Sequence, residues 1–220
     1  MKPDIVIEMV SDLVCPWCWL GLRRLQSALA LLPELSVQTL FRPYQLDPTI
    51  PQDGLDYRAY MRTKFGSRHE NPEQKNRWHV MREALETYGE AEGIPFAFEG
   101  IKRQPNTINA HRLVHWAQGQ EKGWAAKEAL FQAYFTEHRD IGTDEVLTDI
   151  AARIGLDPGL VGDLLAGEAD RAYIDETCAY FKSIGLKGVP SFILNRRGII
   201  QGAEASETMA KMIADMVQTA

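Results

Sequence analysis

Cysteine is scarce in this chain, with three in 220 residues. That is too few for a disulfide framework, so stability has to come from an apolar core. No stretch approaches the roughly 18 uninterrupted apolar residues of a membrane-spanning helix. The opening residues, Met-Lys-Pro-Asp-Ile-Val-Ile-Glu, lack the apolar centre and small-residue cleavage site of a secretory signal. We therefore expect a cytoplasmic protein with no membrane partner. Positive charge is not in excess either. With 24 Lys and Arg against 30 Asp and Glu, the formal net charge is −6, whereas a nucleic-acid surface needs a concentrated basic patch. Arg23-Arg24 and the charges between Arg58 and Arg82 read as solvated helix faces. A glycine-rich phosphate loop, a Ser/His/Asp nucleophile signature, internal repeats and low-complexity linkers are all missing.

What is present is an ordinary globular composition, 45% apolar and 25% charged, long enough for one good core with a satellite subdomain. Asp4 to Val10 is rich in Ile and Val and reads as a buried strand. After the turn Ser11 to Val14, Pro16 sits where a helix tolerates proline best, in its first turn. Leu20, Leu25 and Leu29 carry that helix to the break at Pro33, and Leu35 to Phe41 forms a second strand. Strand, helix and strand in so short a span define a βαβ unit.

From about Tyr44 to Phe181 the pattern is helical. Asn71-Pro72 reads as an N-cap and first helical position, and Gly93 as a stop. Helical spacing covers Thr107 to Ala117 and Trp124 to Glu137. Thr143-Asp144 and Asp157-Pro158 open two more helices, and Ala169 to Ile184 is the last of the set. Strand character then returns in Ser191 to Leu194 and Gly198 to Ile200, around the turn Asn195-Arg196-Arg197, before a final helix from Ser206 to Val217. The simplest assembly is one α/β sheet built from both ends of the chain: residues 1–43 and 185–220 form a discontinuous domain, and residues 44–184 form a helical insertion. Two independent domains would leave fragments with little core.

Cys15 and Cys18 carry the chemistry. Two residues apart on a helix, they lie one turn apart on the same face. The start of a helix offers unpaired backbone N–H groups and the positive end of the macrodipole, both of which favour a thiolate. Thiol–disulfide exchange needs that species. Cys15, the outer residue, is the expected nucleophile, and Cys18, one turn inside, the resolving thiol. Between them, Pro16 and Trp17 supply no cation; Trp17 offers a flat apolar surface. Zinc needs about four ligands, and no second Cys-x-x-Cys or paired-histidine motif exists, so no metal is expected. His111 and His115 stand four apart, yet Trp116 beside them marks a core face. Cys178, in an apolar stripe with Ile174 and Phe181, reads as an inert buried thiol. The aromatic run Trp124, Phe131, Tyr134 and Phe135 reads as packing.

Gly188-Val189-Pro190 directly precedes the returning strand, at a point where an X-Pro bond can be cis at modest cost. Together with Val10-Ser11-Asp12 leading into Cys15-Pro16-Trp17-Cys18, and Pro105-Asn106-Thr107 with Ala110-His111-Arg112, these residues resemble the DsbA-like thioredoxin superfamily, closest to the cytosolic FrnE-type oxidoreductases. The resemblance spans nearly the whole chain. It implies a thioredoxin-like fold with a large all-helical insertion, and a cis Pro190 packed against Cys15 and Cys18. It further implies that Val189 offers its backbone to an extended peptide. The segment from Asn106 to His111 would lie over the active-site face, making Ser11, Asn106, Thr107 and His111 candidate substrate-binding residues. One departure stands out. Thioredoxins carry a buried acid six residues before the first active cysteine; here that position is Met9, and Glu8 or water is left as proton acceptor for Cys18.

The leading expectation is dithiol–disulfide exchange with protein, peptide or small thiols, with glutathione or a thioredoxin system as recycling partner and no tightly bound cofactor. Kappa-class glutathione transferases and 2-hydroxychromene-2-carboxylate isomerases share the helical insertion, so a glutathione-dependent enzyme acting on a small molecule is the second reading. Those isomerases carry serine at the position of Cys15, and the Cys18 retained here favours redox work. A chaperone-like binding module with incidental thiols is the third.

Overall fold

The computed structural model describes residues 3–65, 72–186 and 188–218. Strand β1 (Ile5–Ser11) is buried along almost its whole length, as a strand covered on both faces must be. It leads through a short turn into α1 (Pro16–Ala30), with Cys15 as N-cap and proline in the first turn. Leu35 and Ser36 are not strand as expected: Leu35 N–H donates to the Leu32 carbonyl in a turn after Pro33, so β2 starts later, at Val37–Pro43. β1 and β2 run parallel, in register from Ile5 opposite Val37 to Ser11 opposite Pro43.

The intervening chain is mostly helical: α2 (Tyr57–Phe65), α3 (Pro72–Ala91), α4 (Ile108–Gln118), α5 (Gly123–Phe135), α6 (Asp144–Arg153), α7 (Pro158–Ala166) and α8 (Arg171–Ser183). The expected cap Asn71 lies outside the described residues. Asp157 does cap α7, its side chain accepting from the Gly159 and Leu160 amides. A two-residue ladder, β3 (Leu55–Asp56) with β4 (Arg103–Gln104), was not anticipated, because two residues are too few to show a period.

The returning hairpin is β5 (Ser191–Leu194) and β6 (Gly198–Gln201), closed by a turn in which Asn195 and Arg196 both have positive φ, the conformation of a tight hairpin turn. β5 pairs antiparallel with β1, Val10 opposite Ser191, giving a four-stranded sheet of order β2-β1-β5-β6. The last helix, α9 (Ser206–Gln218), packs on α1, while α3 and α5 reach α1 and α4 and α8 reach β2. One apolar core joins residues from both ends of the chain and from the helices between, including Met9, Leu20, Leu130, Phe131, Phe192 and Ile213.

Helix α1 is therefore gripped from several sides. Trp19 stacks on Phe131 and Phe135 of α5, with ring centroids 6.0 Å apart in each pair, and its indole N–H donates to Glu128 at 3.1 Å. Arg23 and Arg24, expected on a solvated face, instead tie α1 to the helical segment. Arg23 pairs with Glu128 at 2.6 Å and Arg24 with Glu92 at 3.0 Å, and the Arg24 side chain is only 13% exposed. Gly21 lies where α1 meets β5, and a Cβ there would come within 2.8 Å of the Pro190 ring and 3.2 Å of Phe192. The absence of a side chain at Gly21 sets how closely the dithiol helix approaches the segment Gly188 to Pro190.

Candidate active site

Cys15 and Cys18 stand where sheet and helix meet. Cys15 has extended backbone angles and makes no side-chain capping bond; its amide donates to the Asp12 carbonyl, and the Cys18 amide donates to the Cys15 carbonyl at 2.9 Å. All three cysteines are free thiols. The Cys15 thiol points at the Val189 carbonyl, 3.7 Å away. The Val189–Pro190 peptide bond is cis. That segment is pinned on both sides: Ser191 Oγ donates to the Gly188 carbonyl at 2.8 Å and the Gly202 amide to the Pro190 carbonyl at 2.9 Å. Cys15 keeps 5% exposure among partly exposed Pro16, Trp17 and Val189, and Trp17 leans on Tyr88 of α3 with centroids 6.3 Å apart.

Cys18 is fully buried. Burial pushes its thiol well above the usual range, and the adjoining Cys15 side chain adds to the effect; the Lys127 charge and a backbone hydrogen bond from Asp12 act in the opposite direction. An unassisted Cys18 would thus resist ionising. Glu8 offers it no help, because its carboxylate is engaged by Arg42 at 2.6 Å and approached by Arg196 at 3.6 Å.

Behind the two cysteines lies a buried polar cluster. Lys127 of α5 is 1% exposed, donates to Ser11 Oγ at 2.7 Å and sits 4.7 Å from the Phe131 ring centroid. Asp12 Oδ2 accepts from the Leu46 amide at 2.8 Å. Its other oxygen is 3.5 Å from His111 Nε2, which is nearer the Tyr44 carbonyl at 3.2 Å, and among the described residues Asp12 Oδ1 has no hydrogen-bond partner. Burial holds His111 below its ordinary range despite the neighbouring Asp12.

Ser11 and His111 therefore belong to this inner cluster. Asn106 and Thr107 do not: Asn106 donates to the Ile50 carbonyl at 2.7 Å and accepts from the Ile108 amide and Gln45, tying the chain after β2 to the start of α4, where buried Thr107 is the N-cap. Lys127 was missed in the sequence because it lies within an apolar helix. The available signal was its spacing: Gly123, Lys127, Leu130, Phe131 and Tyr134 share the buried face, so a lysine occupies a position where apolar residues are expected. Cys178 packs with Ile108 and Ile174, apart from the main core. Among the described residues no group of three or more His, Cys, Asp or Glu is placed to hold a metal ion, and no helix is long and apolar enough to cross a membrane.

A parallel βαβ start, an antiparallel hairpin return and a Cys-x-x-Cys pair facing a proline loop define a thioredoxin-type protein with helices inserted between its halves. The chain belongs to the family described as DSBA-like thioredoxin domain, whose model matches residues 6–214. Among solved structures it is similar to a probable DsbA oxidoreductase from Streptomyces coelicolor, with 26% identity, a TM-score of 0.87, and 98% of this chain and 91% of that one covered. It also shares its fold with the cytosolic disulfide reductase DsbM from Pseudomonas aeruginosa, solved with GSH, at 19% identity and TM-score 0.61 over 97% of this chain and 96% of that one. A 2-hydroxychromene-2-carboxylate isomerase has the same fold at 14% identity and TM-score 0.69, over 97% and 95%.

Proposed function

We propose that the protein exchanges disulfides with protein, peptide or low-molecular-weight thiols through Cys15-Pro16-Trp17-Cys18, as a cytosolic enzyme of the FrnE type. Cys15 thiolate attacks one sulfur of a substrate disulfide and releases the other as a thiolate; Cys18 thiolate then attacks Cys15, closing the intramolecular disulfide and releasing the second substrate sulfur. The substrate is reduced and the enzyme dithiol oxidised, and the reverse sequence oxidises a substrate dithiol. The reduction potential against the compartment sets the direction, roughly 30 mV changing the equilibrium tenfold.

The observation that carries this reading is the pairing of a rim thiol, aimed at the Val189 carbonyl, with a buried thiol one turn deeper. The carbonyl of Val189 is suited to receive an extended peptide by strand addition, and Pro16 and Trp17 border it. Glutathione fits as co-substrate that recycles the pair. Residues 1–43 and 185–220 act as the exchange domain and residues 44–184 as the cover that sets substrate choice. The glutathione-dependent isomerase reading has a shared fold behind it, without sequence likeness.

The test uses single cysteine variants. Cys18→Ser should accumulate a Cys15 mixed disulfide with glutathione or a disulfide peptide, read by mass, and Cys15→Ser should abolish turnover. A wild-type protein that forms no Cys15–Cys18 disulfide at any glutathione poise, or turnover that survives Cys15→Ser, would overturn the proposal.

A further inference from the structure

We propose that Lys127, anchored on Ser11 behind the Cys15–Cys18 pair, is the group that takes and returns the Cys18 proton during exchange. This rests on the disulfide-exchange reading above and concerns its resolving step. Three observations converge on Lys127. Its amine is held in place by a 2.7 Å bond to Ser11 Oγ at the end of the strand that delivers both cysteines. Cys18, Asp12 and Cys15 are the charged neighbours that act on it, Cys18 foremost. It also lines a cavity of about 10 Å³ whose wall includes buried His111 together with His115, Arg42 and Tyr173. That volume suits about one water, and Tyr173 on its wall is 39% exposed, so the amine adjoins a space bordered by a side chain that reaches the surface.

The charges around the amine favour a role in proton transfer. Burial pushes Lys127 down to about 8, with the Cys18, Asp12 and Cys15 charges acting against it, so its proton is mobile near neutral pH. Asp12, one of whose oxygens lacks a hydrogen-bond partner among the described residues, supplies negative charge that keeps the ammonium form accessible, and Met9, where thioredoxins have their acid, contributes no charge. The groups facing Lys127 are Ser11 and Asp12 from β1 and its turn, Cys15 and Cys18 from α1, His111 and His115 from α4, Arg42 from β2 and Tyr173 from α8.

In the mixed disulfide of Cys15 with a substrate sulfur, the Cys18 S–H proton passes to the neutral Lys127 amine, which becomes ammonium. The Cys18 electron pair forms the bond to Cys15 sulfur, and the Cys15–substrate bond breaks with its electrons leaving on the substrate thiolate. Lys127 then releases its proton toward solvent through the cavity. In the reverse direction a thiolate attacks Cys15, and the ammonium returns its proton to the departing Cys18.

The experiment is a single-turnover measurement of release from the preformed Cys15–glutathione mixed disulfide of the full chain, across pH 6 to 10. In the wild type the rate should climb to a plateau with an inflection near the Lys127 value of about 8. Lys127→Met, which fills the same space without charge, should slow release at pH 7 by ~10²-fold, the scale of a lost general base, and remove the inflection. Lys127→Arg keeps a cation that cannot shed its proton and should remove the inflection too. Alkylation of Cys15 in the reduced protein should persist in both variants. Release by Lys127→Met at the wild-type rate with the same inflection would overturn the assignment. So would a wild-type rate that keeps rising through pH 9 without levelling, a result that needs no variant to fold. If instead no Cys15–Cys18 disulfide forms in the wild type at all, the exchange reading itself fails.

Discussion

Replacing Gly21 by alanine tests whether the close approach of α1 to the Pro190 segment positions the dithiol. An added Cβ would lie 2.8 Å from Pro190 Cγ, 3.3 Å from Pro190 Cβ and 3.2 Å from Phe192 Cζ. Carbon atoms in good contact are about 3.5–4.0 Å apart, so helix and proline ring must separate by most of an ångström. Neither can swing aside: the ring is rigid, and α1 is held by Trp19, Arg23 and Arg24. Overpacking of this kind costs about 1–3 kcal/mol, while alanine in a helix interior returns about 1 kcal/mol over glycine. The net expectation is a loss of about 0–2 kcal/mol, or up to a few degrees of Tm in a chain of this length. The contact between Cys15 and the Val189 carbonyl lengthens with it, slowing peptide exchange. Gly162 is the control. It also sits inside a helix, α7, but a Cβ there meets only Thr148 Cγ2 at 3.6 Å, so Gly162→Ala should stabilise by about 0.5–1 kcal/mol. Urea unfolding of the two variants should shift midpoints in opposite directions. If Gly21→Ala raised the midpoint and left exchange unchanged, the close approach would have no bearing on the site.

Three further outcomes follow from buried groups. His111 is held neutral in the fold with its pKa below 6.5, so the unfolded chain binds the extra proton; its contribution is complete above pH 6.5 and is lost as pH falls toward the folded value, at up to about 1.4 kcal/mol per unit. Urea midpoints should therefore decline less between pH 6.5 and 5.5 in His111→Gln than in the wild type. Cys178, pushed up to about 12 by burial, should resist alkylation at pH 8 in the native state, and Cys178→Ala should exchange disulfides at the wild-type rate. Arg112 donates to the carbonyls of Leu164, Leu165, Gly167 and Ala169, so Arg112→Met, which leaves buried carbonyls unpaired, should cost at least about 1–3 kcal/mol of stability, measured by urea unfolding, while the redox equilibrium of the folded protein is unchanged.

The elements that were readable in advance are those whose signals are local. Pro16 in a first helical turn, Asp157 before Pro158, and the turn at Asn195 each declare themselves within a few residues, and the βαβ start and hairpin return follow from them. The cysteine spacing likewise puts the second thiol one turn inside the helix that the first one caps. What escaped depends on distant partners. Arg23 and Arg24 look solvated until Glu128 and Glu92 are brought across from other helices. Asn106 looks available for a ligand until Ile50 and Gln45 occupy its amide. Lys127 acquires its meaning only from Ser11, more than a hundred residues away in sequence. Charges and amides can be counted in a sequence, but burial and pairing decide what they do.

The far end of the chain has a consequence for biosynthesis. The carbonyl that faces Cys15 comes from Val189, and the strand that holds it in place, Ser191–Leu194, pairs with β1 at the opposite terminus. During synthesis, which delivers the N-terminal residues first, both sulfurs emerge long before their lip exists, carried on a first strand that lacks its central neighbour. The two thiols therefore lack their Val189 neighbour until residues 189–194 have been made and paired with β1. The face opposite Cys15 is thus completed in one step, with the hairpin, rather than growing with chain length.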